Sequence, residues 1–202
     1  MKLTVLSGDI VDSTKKENAA LESAMTALSG AALLIGSWDD APSLFGRSSG
    51  DGWQLALGSP ERGLRACLFL QASLRRLDKT LSTRIALATG EGTLPKNQDI
   101  NSAHGDAFVA SGRLLGTISG HIRMMSAETG SDNAAVILAD QIAQGWTQAQ
   151  ARSLYELLPP NPGTREDAAK RLGISRPAVN QALWSAGFTA LEAAITSWEA
   201  QT

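Results

Sequence analysis

Apolar and polar positions alternate along this chain in a way that names its elements in order. Residues 3–6, LTVL, combine strand formers and break at Ser7-Gly8, which predicts one buried strand ending in a small-residue corner. That corner presents Asp9 and Asp12. Residues 15–35 place Leu21, Met25, Leu28, Ala32 and Ile35 at helical spacing, with Gly30 weakening the helix and Gly36 ending it. A loop over 38–42 leads to residues 44–57, LFGRSSGDGWQLAL. These read as a β-hairpin, its turn chemistry carried by Ser48-Ser49-Gly50-Asp51-Gly52. Asp51 then stands at the hairpin tip.

Pro60 opens a second helix with Leu64, Cys67, Leu68, Leu74 and Leu77 on one face. Residues 83–89, TRIALAT, predict a strand ended by Gly90-Glu91-Gly92, followed by a polar loop over 95–102. His104-Gly105-Asp106 leads into a helix over 107–115, a short strand follows within 121–126, and 128–133 is turn-like. A helix over 133–144 stops at Gly145. Thr147 caps another that stops at Pro159-Pro160, and residues 159–163, PPNPG, form a short linker. There is no internal repeat. The order up to residue 115 is a βαββαβ layout of α+β class, ferredoxin-like, with helices on one face of an antiparallel sheet. In such a sheet the first strand neighbours the hairpin, which sets Asp9 beside Asp51 at one edge.

Composition narrows this picture. The chain of 202 residues is 43% hydrophobic and 19% charged, as in globular proteins, and can hold one domain or two small ones. A formal net charge of −2 gives no global field for nucleic acid, so any DNA contact needs a local basic patch. Cys67 is the only cysteine, which excludes a disulfide framework and a zinc cluster, and it reads as a core residue. The sequence shows no signal peptide, and no apolar run is expected to approach the ~20 residues of a membrane span. A cytoplasmic location with no membrane partner is the expectation.

Two carboxylates at one sheet edge suit divalent cations, Mg²⁺ or Mn²⁺. Such ions would hold a triphosphate, lower the pKa of an attacking hydroxyl and stabilise leaving pyrophosphate. Gly8, Gly50 and Gly52 would let backbone approach phosphate oxygens. The plainer alternative makes Asp51 a turn former only. Asp12 either assists the metal or caps the following helix, and the cap is the simpler reading. Glu91 either contacts metal or substrate or is a solvated loop acid; His104 either touches phosphate or, more simply, is a loop residue; and Asp106 reads as a first-turn acid favoured by the helix dipole.

These motifs resemble a known family. Gly8-Asp9-Ile10 resembles the first metal motif of class III nucleotidyl cyclases. The segment from Arg47 to Gly52, RSSGDG, is similar to their Lys-x-x-Gly-Asp hairpin. RIALATGE from Arg84 to Glu91 resembles their following strand, and GDAFVASGRL from Gly105 to Leu114 their Gly-x-x-Val-Asn-x-Ala-x-Arg-Leu helix. With the C-terminal part added, the set resembles the SatD-like bacterial proteins. The resemblance implies a site that binds ATP or GTP. Asp9, Asp51 and the Ile10 carbonyl would be metal ligands, and Arg113 would neutralise charge on the phosphate. Arg47 and Ser102 would stand at base-selecting positions. It also implies a homodimer paired head to tail, with Arg113 acting across the interface. Three positions depart from the family. Val109 replaces the asparagine that orients the ribose, Ser102 falls near a position where adenylate cyclases often carry Asp, and Arg47 replaces a lysine to which it is not equivalent.

Residues 164–186 carry a separate signal. Thr164 with Asp167 approximates a capping box; Ala168, Ala169 and Leu172 face inward; Gly173 supplies a tight turn. Ile174 is expected to plug the core, Ser175 to cap the next helix with Pro177 in its first turn, and Ala178, Val179, Ala182 and Leu183 to be buried. This is a helix-turn-helix pattern. Its outward residues would be Arg176, Asn180, Gln181 and Ser185, suited to base edges of double-stranded DNA, with Arg165, Lys170 and Arg171 on phosphates. The alternative is a structural helical unit used for dimer packing.

The expected organisation is a cyclase-like nucleotide- and metal-binding domain over 1–130 and an all-α helix-turn-helix domain over 131–202. The leading functional expectation is a DNA-binding transcriptional regulator whose front domain binds a metal–nucleotide. The alternative is an active nucleotidyl cyclase with the tail as dimer or targeting module. A third possibility is a cyclase-like scaffold with no nucleotide.

Overall fold

In the computed structural model, which describes residues 1–201, the first strand, β1 (Lys2–Ile10), runs straight through Ser7-Gly8. Its neighbours explain why. β3 (Gly52–Leu57) pairs with it from Thr4 to Asp9, and β4 (Thr83–Glu91) pairs with it along its whole length, both antiparallel. A strand bonded on both edges continues through a glycine that would end an unpartnered one. The corner expected at Ser7-Gly8 is therefore absent, and Asp9 is a strand residue.

The sheet order is β2 (Ser43–Arg47), β3, β1, β4, β5 (Met124–Ser126), and only the β4–β5 pair is parallel. β2 and β3 form the predicted hairpin. β5 is short and is held by side chains of the next helix: Asp140 accepts from the Arg123 backbone N–H at 2.8 Å, and Asn133 from that of Ser126 at 3.0 Å.

Helices cover both faces of this sheet. α1 (Asn18–Gly36) and α2 (Gly63–Arg75) lie on the face carrying Leu6, Ile10, Trp53, Leu55, Ile85 and Leu87. α3 (Asp106–Leu115) lies on the other, where Ala107 and Phe108 meet Leu3, Val5 and Ala56. This corrects the expectation of helices on one face only. β1 is apolar on both sides, so both sides need cover. Two smaller expectations also change. Leu77 is exposed, and Asp12 caps nothing with its side chain. Asp12 instead has φ +55° and pairs with Lys15 at 2.8 Å.

Contrary to the sequence reading, α1 is long and apolar enough to cross a membrane by length and composition, with 19 residues and a mean hydropathy of 1.4. Here its Ala24, Met25, Leu28, Ala31, Ala32 and Ile35 are buried within the protein core.

The C-terminal region is helical: α4 (Ser131–Gln144), α5 (Gln148–Leu157), α6 (Arg165–Leu172), α7 (Arg176–Ser185) and α8 (Phe188–Glu199). One apolar cluster runs from the sheet through α2 into these helices, including Trp146, Leu154, Val179, Leu183 and Ile195. Phe69 of α2 stacks on Tyr155 of α5 at 4.6 Å, and the Arg76 guanidinium lies 3.6 Å over the same tyrosine ring. Arg65 of α2 donates to both carboxylate oxygens of Glu199 at 2.6 and 2.8 Å, and Arg62 joins them at 3.0 Å. Cys67 is wholly buried in α2, as expected, and burial pushes its thiol up.

Candidate functional site

Strand register sets the first candidate site. Asp9 is the Cα partner of Gly52 on one side and of Arg84 on the other. Asp51 precedes Gly52 at the hairpin tip, so the backbone register places both aspartates at the same end of the sheet. Partners across an antiparallel pair point to the same face. The face of Asp9 is that of Leu3, Val5 and Ser7, on which α3 packs. Beside Asp9, Ser7 Oγ contacts Ser111 Oγ at 2.9 Å and accepts from Gln54 at 3.2 Å.

Arg84 dominates this edge. Its Nε donates to one Asp9 carboxylate oxygen at 2.8 Å, its Nη2 to the other at 2.5 Å, and its Nη1 to the Ile118 carbonyl at 2.7 Å. The Asp9 carboxylate side chain is only 20% exposed. Hydrogen bonding to Asp9 raises the Arg84 pKa most; burial opposes this, and the charges of Asp9 and Asp51 add to it. The Asp9 carbonyl is taken as well: Thr83 Oγ1 donates to it at 2.6 Å and accepts from the Trp53 indole at 2.9 Å.

The other residues of the expected nucleotide site are placed as follows. A Cβ on Gly8 would stand 2.3 Å from the Trp53 ring and 2.5 Å from the Arg84 carbonyl oxygen, so that space belongs to Trp53. Gly50 has φ +55°, and a Cβ on Gly52 would stand 2.7 Å from Ser48 Oγ, so both glycines serve the turn itself. Arg47 is in register with Trp53, on the α1 face. There it donates to Glu22 at 2.8 Å and to the Gly50 carbonyl at 2.5 Å. It therefore lies on the face of the sheet opposite Asp9. Ile10 is buried in the core, and Ser102 ends a short 3₁₀ turn with its hydroxyl 3.4 Å from Asp99. Arg113 and Val109 are exposed on α3, and Arg113 has no hydrogen-bond or ion-pair partner among the described residues.

The second candidate site is the pair α6 and α7. Thr164 and Asp167 form the full capping box expected, Gly173 takes φ +67° at the turn, and Ser175 accepts from the Ala178 N–H to cap α7. Val179 and Leu183 are buried beneath. Ile174 does not plug the core: it is 45% exposed, and Ala178 is exposed as well. The turn is closed by backbone instead, Ile174 N–H donating to the Ala169 carbonyl at 3.1 Å.

Arg176, Gln181 and Lys170 are exposed. Asn180 accepts from Arg165 at 3.2 Å, and Ser185 is engaged by Gln150 of α5 at 2.9 Å. Arg171 is exposed too, with its guanidinium paired to Glu156 and bonded to the Pro162 carbonyl.

Sequence reasoning missed Arg84, Thr83 and Trp53 at the first site and Trp184, 74% exposed, at the second. An arginine inside an apolar strand was the available signal for Arg84. Its pairing with Asp9 needed the β1–β4 register.

No family model matches this chain, and no curated protein matches it. Among solved structures it is similar to the guanylyl cyclase Cya2, at 15% identity and a TM-score of 0.46, over 62% of this chain and 74% of that one. It is also similar to a bacterial light-regulated adenylyl cyclase, at 14% identity and a TM-score of 0.46 over the same shares. The functional reading rests on the residues of the two sites.

Proposed function

We propose that this chain is a DNA-binding regulator whose sheet end, within 1–130, takes a nucleotide such as ATP or GTP and whose helical end, within 131–202, contacts double-stranded DNA through α7. The observation that carries this reading is the capped α6–turn–α7 unit with Arg176 and Gln181 exposed on its second helix. Arg suits guanine and Gln suits adenine in the major groove, while Lys170 and Arg165 lie on the neighbouring helix for phosphate. So few basic groups give weak, salt-sensitive binding per copy, which favours a dimer.

The test is selection from a random duplex pool at low salt, followed by fluorescence anisotropy on the enriched sequence. Arg176→Ala is expected to weaken binding about tenfold, the scale of one base contact, with its circular dichroism unchanged. A pool with no enriched sequence would overturn the reading.

A second reading, an active nucleotidyl cyclase, is favoured by the register that brings Asp9 and Asp51 together. The residues present do not fit a divalent ion in the arrangement seen. Both oxygens of Asp9 are bonded to Arg84, and no group of three or more His, Cys, Asp or Glu side chains among the described residues could hold a metal. The cyclase resemblance assigns Arg113, exposed and without a partner among the described residues, to a second copy's site. The regulatory reading needs neither condition.

A further inference from the structure

We infer that Arg84 is the built-in cation of the acid edge, occupying the Asp9 carboxylate so that the resting protein excludes divalent metal from it. Three observations carry this. All three guanidinium nitrogens are engaged, two on Asp9 and one on the Ile118 carbonyl. Ile118 is itself buried, so the third contact anchors the arginine to the loop after α3. Arg84 and Asp9 are also direct partners in the β1–β4 ladder, which fixes their backbones side by side.

A bidentate guanidinium–carboxylate pair engages both oxygens that a metal would need and sets a permanent positive charge against them, since an arginine does not lose its charge. A divalent ion approaching Asp9 therefore meets a fixed positive charge and must share both carboxylate oxygens with it. Asp51, next to the Gly52 partner of Asp9, adds a second carboxylate at this end of the sheet, and its charge also falls on Arg84. The pair thus neutralises the edge from within the sheet. An anionic ligand that draws the guanidinium away would be required before Asp9 could take a metal. The inference concerns the acid edge alone, and DNA binding by α7 stands or falls separately.

The test is Mn²⁺ titration of the full chain, followed by electron paramagnetic resonance of the free ion and by calorimetry, with no nucleotide present. Wild type and Asp9→Asn are both expected to show no saturable Mn²⁺ site. Arg84→Gln is expected to gain one site, at least about tenfold tighter than anything in wild type, the scale of one charge-assisted hydrogen bond. That site should vanish in the double variant Arg84→Gln/Asp9→Asn. A saturable wild-type site that Asp9→Asn abolishes would overturn the inference. So would a folded Arg84→Gln that binds Mn²⁺ no better than wild type. Should Arg84→Gln fail to fold, Arg84→Lys, which keeps the charge but cannot grip both Asp9 oxygens, is titrated in its place against the same expected and overturning results.

Discussion

Gly8 occupies a position in mid-strand where no side chain fits, because the Trp53 indole lies over it and the Arg84 carbonyl stands beside it. Gly8→Ala forces both to shift. Overpacking of this kind costs about 1–3 kcal/mol. It is expected to lower the urea midpoint with an unchanged slope, and an equal midpoint would mean that the Trp53 ring yields freely. The same residue shows what could be read at this scale. Asp9 and Asp51 lie at one end of the sheet, as expected, whereas Gly8 neither ends the strand nor leaves room for a phosphate. The reason for Gly8 could not be read, because it lies in a ring forty-five positions away that the fold brings over it. Arg84 escaped for the same reason, since its partner is set by strand pairing and not by any neighbour in sequence.

At the scale of the element, local chemistry was legible and long-range chemistry was not. The Thr147 cap, the Thr164 capping box, the turn glycine at Gly173 and the Ser175 cap all follow from residues within one turn of each other, and all are present, Thr147 with a full box to Gln150 that was not anticipated. The end of β1 was missed because two partner strands decide it. Ile174 was misplaced because its backbone, and not its side chain, closes the turn. One consequence can be measured. Thr164→Ala removes the hydroxyl that caps α6 and is expected to destabilise by about 1 kcal/mol. That loss would appear as a lower melting temperature by circular dichroism. Combining it with Asp167→Ala should cost less than the sum of the two, since both belong to one box.

For the whole molecule, the decisive contact is α2, which faces the sheet on one side and α5 and α8 on the other. Phe69 on Tyr155, and Arg65 and Arg62 on Glu199, join the sheet to the helical end through partly or fully buried groups. Breaking a fully buried ion pair costs about 3–5 kcal/mol; these partly buried arginines would cost less each, but with Phe69 on Tyr155 they still tie the ends together. Unfolding is expected as one transition. Helix signal and tryptophan fluorescence, from Trp38 and Trp53 at one end and Trp146 at the other, should give coincident urea curves. Two resolved steps would show that the ends melt independently.

The position of Cys67 has a practical corollary. This single sulfhydryl is sealed in the helix shared by both ends, so an alkylating reagent reaches it when that shared interior opens and not when a surface loop frays. The pace of its labelling is therefore a clock, supplied by the protein itself, for how often the molecule comes apart at its middle.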